Sequence, residues 1–281
     1  MKRKRIALLT VALAVGVLFL GFAPAIQAAS PAPSPDSTVK GKVIKVAMNV
    51  GNIPWVYNEG GTITGFEVEL LKEGFRRLGA EIQIENVQFA GIFPGLQAGK
   101  WDVAASSIFV RKDRVEMMDF ADPYFQSDQG FLTRKEAPIK SFADMKGKTW
   151  GAEVGTANDR WLKENMAQYG PYTIKTYDRL DDALMDVQTG RLDGATSPSP
   201  NILYRIRNKP DLMLAFRAPT KFMQAIAFRK GDPLCKEFNK VQNDMKKDGA
   251  LPGIYKKWFG QDPASDTPTV KVLTQPYVPE T

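Results

Sequence analysis

The chain has no histidine and a single cysteine, Cys235, in 281 residues. The first absence removes the side chain most used as a metal ligand and as a general base near neutral pH. It excludes a Ser-His-Asp catalytic set and any metal site built on imidazole. The second absence excludes an intramolecular disulfide. Cys235 stands beside Leu234 in a predicted helix and reads as a small buried hydrophobe. No cysteine lies near the N-terminus, so lipid attachment through an N-terminal cysteine is excluded as well. A clustered basic stripe, which nucleic-acid binding requires, is also missing. Lys72, Arg76 and Arg77 alternate with Glu69 and Glu73, as on a solvated helix face.

What is present begins with a basic tetrad, Lys2 to Arg5, followed by 17 uncharged residues from Ile6 to Phe22. Small residues (Ala23, Ala25, Ala28, Ala29) lead into a Ser-Pro-rich stretch. That order reads as a secretory signal peptide over residues 1–28, cleaved between Ala25 and Ala29. The alternative is an uncleaved anchor, although the run sits at the short edge of the roughly 17–25 residues a spanning helix needs. Removing residues 1–28 deletes four basic residues and no acidic one, which lowers the formal charge from +7 to +3. Export without disulfides fits a bacterial periplasm. Residues 29–41 read as a linker. Residues 263–281, with four prolines, read as an extended tail.

Between them, strand and helix patterns alternate. Val43–Met48 predicts a strand. Thr64-Gly65-Phe66-Glu67 resembles a capping box opening a helix in which Phe66, Leu70, Leu71, Phe75 and Leu78 share a face before Gly79. A strand over Glu81–Val87, a short helix over Gly91–Ala98 and a strand over Val103–Ser106 complete a βαβαβ run. A second run follows: strand Thr149–Val154, helix Thr156–Gln168, strand Thr173–Tyr177, a helix from Leu180 to Gly190, and strand Leu192–Thr196. Two such runs predict an α/β chain in two lobes, each a sheet flanked by helices. Phe222–Phe228 reads as a return strand, and amphipathic helices follow around Leu234–Met245 and Leu251–Phe259.

Residues 101–124, WDVAASSIFVRKDRVEMMDFADPY, are the richest stretch. A short apolar strand runs into Ser106 and Ser107, and a polar turn then carries Arg114. A guanidinium one turn beyond a serine-rich strand end suits a carboxylate, because it offers a fixed charge and a planar fork. Read alone, Arg114 also suits a surface ion pair with Glu116 or Asp119. Gly155-Thr156 lies where a strand meets a helix, whose free amides attract anions. Thr156 also suits a plain N-cap paired with Asp159.

This stretch resembles the polar amino-acid class of bacterial extracellular solute-binding proteins, family 3. So do Gly65 to Leu70 (GFEVEL), Gly95 to Asp102 (GLQAGKWD), Gly190 to Asp193 (GRLD) and the ending VQNDMKKDGALPGIYKKWFG. The resemblance implies a two-lobed periplasmic-binding-protein (type II) fold, each lobe a mixed, mostly parallel sheet. Lobe 1 would comprise residues 42–129 and 226–262, lobe 2 residues 130–225. Two hinge strands, near Gly130–Thr133 and Met223–Ala227, would join them. The implied function is the periplasmic solute-binding component of an ABC importer. It would be a monomer that captures a small carboxylate-bearing solute by hinge closure and delivers it to an inner-membrane permease, with no cofactor, metal or nucleic acid. A cyclohexadienyl or arogenate dehydratase on the same fold is the alternative.

In that frame Arg114 clamps the carboxylate, with Ser107 and its neighbouring amide as co-donors and Ser106 as companion. Phe89 covers the solute or belongs to the core. Asn49, Asn52 and Glu153 face the cleft. Two positions depart from the family pattern. Phe109 stands where serine or threonine is usual. Pro198, within Thr196 to Pro200, stands where an aspartate usually meets an α-ammonium. Either Glu153 substitutes for that aspartate, or the solute is not an ordinary α-amino acid.

Overall fold

The computed structural model describes residues 37–279, so the signal-peptide reading and linker residues 29–36 lie outside it. The first strand, β1 (Val43–Met48), is followed by a small hairpin of β2 (Tyr57–Glu59) and β3 (Thr62–Thr64), then helix α1 (Phe66–Arg77) and strand β4 (Glu81–Asn86). Helix α2 (Phe89–Gln97), strand β5 (Val103–Ala104), helix α3 (Lys112–Met117) and strand β6 (Met118–Phe120) come next. Long strand β7 (Phe125–Arg134) then leaves the first sheet. The second sheet is built from β7, β8 (Thr149–Glu153), β9 (Thr173–Tyr177), β10 (Gly194–Pro198) and β11 (Leu212–Gln224). Its helices are α4 (Ala157–Glu164), α5 (Met166–Tyr169), α6 (Leu180–Gln188) and α7 (Ser199–Arg205). The chain returns through β12 (Ala227–Arg229) and closes with α8 (Pro233–Lys247) and α9 (Ala250–Phe259).

Each sheet has five strands, in the orders β4-β1-β5-β12-β6 and β11-β7-β10-β8-β9. In the first, β1 runs parallel to β4 and β5, while β12 runs antiparallel to β5 and β6. In the second, β8 runs parallel to β9 and β10, and β7 runs antiparallel to β10 and β11. The fold is therefore two α/β lobes with mixed sheets. β7 and β11 pair from Phe125–Gln224 to Arg134–Leu212 and carry the chain between them. Val110 donates its N–H to the Met223 carbonyl and Tyr124 donates to that of Gln224, which ties these crossing strands to the root of lobe 1.

Several local expectations change. Thr64 is no cap: Gly65 occupies the cap position at φ 143°, and a Cβ there would come within 2.1 Å of the Trp55 carbonyl oxygen. Only glycine fits that approach. Glu67, the last residue of that expected capping box, is fully buried. The apolar run Phe222–Phe228 is not one strand but the end of β11 and the start of β12, separated at Ala225-Ile226 where the chain changes sheets. The helix expected over Thr156–Gln168 is interrupted at Asn165, whose side chain bonds back to the Trp161 carbonyl and competes with the helix ladder. Residues 264–271 form turns held to lobe 1, with the Thr269 hydroxyl donating to the Tyr124 carbonyl.

Each sheet is covered on both faces. On one face of the first sheet, Phe66 is fully buried and meets Trp55 edge-on at 5.6 Å, Tyr124 at 5.8 Å and Phe259 at 5.5 Å. The opposite face is filled by Ile92 and Leu96 of α2 against Ala47 and Ala104. In lobe 2, Leu184 and Val187 of α6 cover one face, while Trp150 and Phe131 anchor the other. Phe66 joins α1, the hinge root and α9. Phe66→Ala is therefore expected to lower the unfolding free energy by about 3–5 kcal/mol, read as a fall in the urea midpoint.

Candidate functional site

A narrow cleft lined by both lobes lies between the two sheets. Lobe 1 lines it with Asn52, Phe89, Ser106, Ser107, Phe109 and Arg114. Lobe 2 adds Glu153 and Thr156 to Asn158, then Thr196 to Pro198 and Asn201. A smaller pocket shares Asn52 and Glu153 and adds Asn49, Arg179, Asp181 and Arg205. Eight of the nine residues singled out from the sequence therefore meet in the larger space, and the ninth, Asn49, meets Glu153 in the smaller one.

Arg114 is 3 % exposed, so the reading of a surface ion pair does not hold. Asp119 pairs with Lys230 instead. The Arg114 guanidinium donates to the Phe109 carbonyl at 2.9 Å and, across the cleft, to that of Gly155 at 3.4 Å. It also lies 4.5 Å from the Phe93 ring centre and 5.6 Å from that of Phe89. Among the described residues it has no carboxylate within ion-pair distance. Burial above all, then nearby Arg111, pushes its pKa down to about 9, which leaves it charged at neutral pH. Burying an unpaired cation costs several kcal/mol, of which the two aromatic faces return a part.

Around it, Ser107 takes the left-handed conformation at φ 50°, unusual for a residue with a Cβ. Its own amide points away from the cavity and donates to both oxygens of Glu67 at 2.9 Å, so that amide is not a free donor. Its hydroxyl accepts from the Asn52 side-chain amide at 3.0 Å, and Ser106 accepts from the Asn49 backbone at 3.3 Å. Phe109 is buried in the cleft wall and packs on Phe222 at a tilt, with 4.6 Å between ring centres. Phe89 is 7 % exposed and belongs to both the core and the cavity wall.

Thr156 is an N-cap. Its hydroxyl accepts from the Asp159 amide at 3.2 Å and donates to the Glu153 carbonyl at 2.7 Å. Both hydroxyl functions are spent on the turn, which leaves the first α4 amides rather than the side chain to meet an anion. Glu153 accepts from the Asn49 side chain of lobe 1 at 2.5 Å, and burial raises its pKa to about 7. Further bridges hold the lobes together. Asn201 reaches Asn52 at 2.5 Å, and the Trp55 indole reaches Asn201 at 2.6 Å. Arg205 donates to the Gly51 and Ile53 carbonyls at 2.5 and 2.8 Å. Gly51 lies so close to Arg179 that a Cβ would sit 2.0 Å from its guanidinium.

Three residues at the site escaped the sequence reading. Glu67 accepts from Ser107 and from the Tyr124 hydroxyl, Asn158 lines the cavity, and Asn201 bridges the lobes. Only Glu67 stood in a quoted motif, as the last residue of the expected capping box.

The sequence profile of the bacterial extracellular solute-binding proteins, family 3, matches residues 44–261. The chain belongs to this family. It is 30 % identical to the arginine-binding extracellular protein ArtP of Bacillus subtilis (strain 168), over 73 % of this chain and 82 % of that one. It is also 30 % identical to the L-cystine-binding protein TcyJ of Escherichia coli (strain K12), over 73 % of this chain and 77 % of the other. The solved structure of the arginine-, lysine-, histidine-binding protein ArtJ from Geobacillus stearothermophilus superposes with a TM-score of 0.75 at 27 % identity, covering 79 % of this chain and 97 % of that one. These family members are amino-acid-binding proteins rather than enzymes.

Glu67 provides a direct check on the cleft wall. Burial raises its pKa from the ordinary 4.5 to about 7, partly offset by its bonds to Tyr124 and Ser107. As pH rises, the unfolded chain loses this proton before the folded chain does, so folding stability falls between those two values. Relative to Glu67→Gln, the natural chain should therefore lose stability as pH goes from about 4.5 to 7. Urea unfolding of both proteins at several pH values measures the difference.

Proposed function

We propose that this chain is the periplasmic solute-binding component of an ABC importer, exported by a cleavable signal peptide and acting as a monomer. It captures a small carboxylate-bearing solute between its lobes and presents the closed form to an inner-membrane permease. The observation that carries this reading is Arg114: a guanidinium 3 % exposed, charged, without a carboxylate partner among the described residues, in the wall of the cleft between the lobes. A solute carboxylate supplies the missing charge through a bidentate pair. Ser106, Ser107 and Asn52 form the polar floor beside it, and Phe89 and Phe109 form its apolar sides.

The same geometry supports closure as the response. Arg114 belongs to lobe 1 yet reaches the Gly155 carbonyl of lobe 2, and the Asn49–Glu153 and Asn52–Asn201 bonds exist only when the lobes meet. A solute bound to both lobes favours the closed state by its differential affinity, whereas one touching a single lobe would not. The hinge strands take up the motion at the register shift between Ala218 and Phe222 of β11, where Lys221 has φ 45°.

Thermal melting against the standard amino acids and small dicarboxylates tests this reading. A solute at a hundred times its dissociation constant should add about 2.7 kcal/mol of stability, a rise of roughly 5–10 °C for a chain this size. Arg114→Ala should abolish the rise at the same concentration, and small-angle scattering should show compaction on binding to the natural chain. An undiminished rise in the variant, or binding without compaction, would contradict the reading.

A further inference from the structure

Much of the contact between the lobes is made by the protein with itself. It centres on α7, whose residues Asn201, Tyr204 and Arg205 fall at i, i+3 and i+4 and so share one helix face. Asn201 accepts from the Trp55 indole at 2.6 Å and donates to the Asn52 side chain at 2.5 Å. The Tyr204 ring centre lies 6.4 Å from that of Tyr57, and the Arg207 guanidinium covers the same Tyr204 ring at 3.9 Å. Arg205 donates to the Gly51 and Ile53 carbonyls at 2.5 and 2.8 Å. From the N-cap of α6, Arg179 donates to the Val50 carbonyl at 3.1 Å. Four lobe 2 side chains thus hold one lobe 1 segment, Val50 to Tyr57. Trp55, Tyr57 and Tyr204 line neither the cleft nor the smaller pocket, and Arg179 and Arg205 lie outside the larger cleft.

The gripped segment is shaped by lobe 1 alone. The Gly51 N–H donates to the Val56 carbonyl at 3.0 Å and the Trp55 N–H to that of Asn52 at 2.8 Å. The Pro54 and Trp55 carbonyls accept the first α1 amides, those of Phe66 and Glu67, at 3.0 and 3.1 Å. The receiving surface therefore exists whether the lobes are together or apart. Arg205 shows how much depends on the grip. Its side chain is 6 % exposed, and Asp181 of its own lobe takes only Nε, at 2.7 Å, while Nη1 and Nη2 reach across to lobe 1. Parting the lobes strips this guanidinium of both carbonyls. Bonds from a charged donor are the stronger kind, so their loss weighs on the open state.

We propose that the α7 face is a latch that acts without solute: it keeps a fraction of the solute-free chain closed and sets affinity and release rate from outside the solute contacts. This rests on the closure reading and not on the carboxylate. The apparent dissociation constant equals that of the competent state divided by the fraction of chain in it. A latch that favours closure therefore tightens the hold on a solute it never touches. It also bars entry while fastened, so weakening it speeds release without slowing capture. Tyr57, Tyr204 and Arg205 are positioning residues in this scheme, because they act through the arrangement of the lobes.

Small-angle scattering of the chain, stripped of retained solute by guanidinium chloride and refolded, tests the latch with no solute present. Tyr204→Ala/Arg205→Ala should shift to a larger radius of gyration than the natural chain, with melting curves showing both folded. Arg205→Lys, which keeps the charge but loses the fork, should fall between them. Tyr57→Ala should shift the same way, and combining it with Tyr204→Ala should add little, because each removes the other's partner. Stopped-flow binding of the twenty standard L-amino acids, succinate and L-malate then reads the rates. Every titrant that binds the natural chain should leave the double variant about tenfold faster or more and enter it no more slowly. A damaged site would slow entry as well. Equal radii for the solute-free natural chain and the double variant would overturn the proposal, as would unchanged release, or entry impaired together with release. If the natural chain binds a titrant without compaction, the closure reading falls and the latch with it. If it compacts while the solute-free radii match, the latch alone falls.

Discussion

A guanidinium held out of water without a counter-charge is the constraint around which this molecule is arranged. Arg114 is charged at neutral pH and almost fully enclosed, with two carbonyl oxygens and two aromatic faces as its company. Such a group is costly unless an anion completes it. Nearby acids are directed elsewhere. Asp113 pairs with Arg111 and Arg160, and Asp119 pairs with Lys230. Glu67, the acid buried beneath Ser107, is held by Tyr124 and by the Ser107 amide. The wall therefore keeps its positive charge available, which a solute site for an anion requires.

The fold supplies what that charge needs in order to matter. Water screens a guanidinium, and two lobes that close over it remove the water and strengthen the attraction. The lobes are bridged mainly by neutral hydrogen bonds and arginine-to-carbonyl contacts, with Arg160–Asp113 as an ion pair at the rim. The neutral bridges each contribute about 0.5–1.5 kcal/mol and those from arginine about 1.5–3 kcal/mol. The root of the hinge is firmer. Asp122 to Tyr124 is gripped by Asn239, Gln242, Asn243 and Lys246 of α8 and by Thr269 beyond α9. These bonds fix the start of β7 to lobe 1.

Much of this was legible in the sequence, because the signals were periodic or local. β1 and β9 follow the bounds expected from their apolar content, and the two βαβ runs give the two sheets. The serine pair and the Gly155-Thr156 turn follow the ends of β5 and β8, and α3 carries Arg114 to the same crevice. The misreadings share a cause: a pattern that two structures satisfy equally. An apolar run such as Phe222–Phe228 serves one strand or two strands in different sheets, and only the long-range pairing decides. Thr-Gly-Phe-Glu satisfies a capping box on paper, but the Trp55 carbonyl claims the space beside Gly65 and turns Glu67 inward. Asn158 and Asn201 carried no signal at all. Asparagines on helices are common on surfaces, and their importance arises from which groups around them are already satisfied.

The central claim is that the solute is held by its carboxylate on Arg114. A crystal structure of the chain with its tightest-binding solute tests it most directly. The account predicts both carboxylate oxygens within about 3 Å of the Arg114 guanidinium nitrogens, with the lobes closed. A solute seated in the crevice with Arg114 facing no anionic group, or bound outside the crevice altogether, would contradict it.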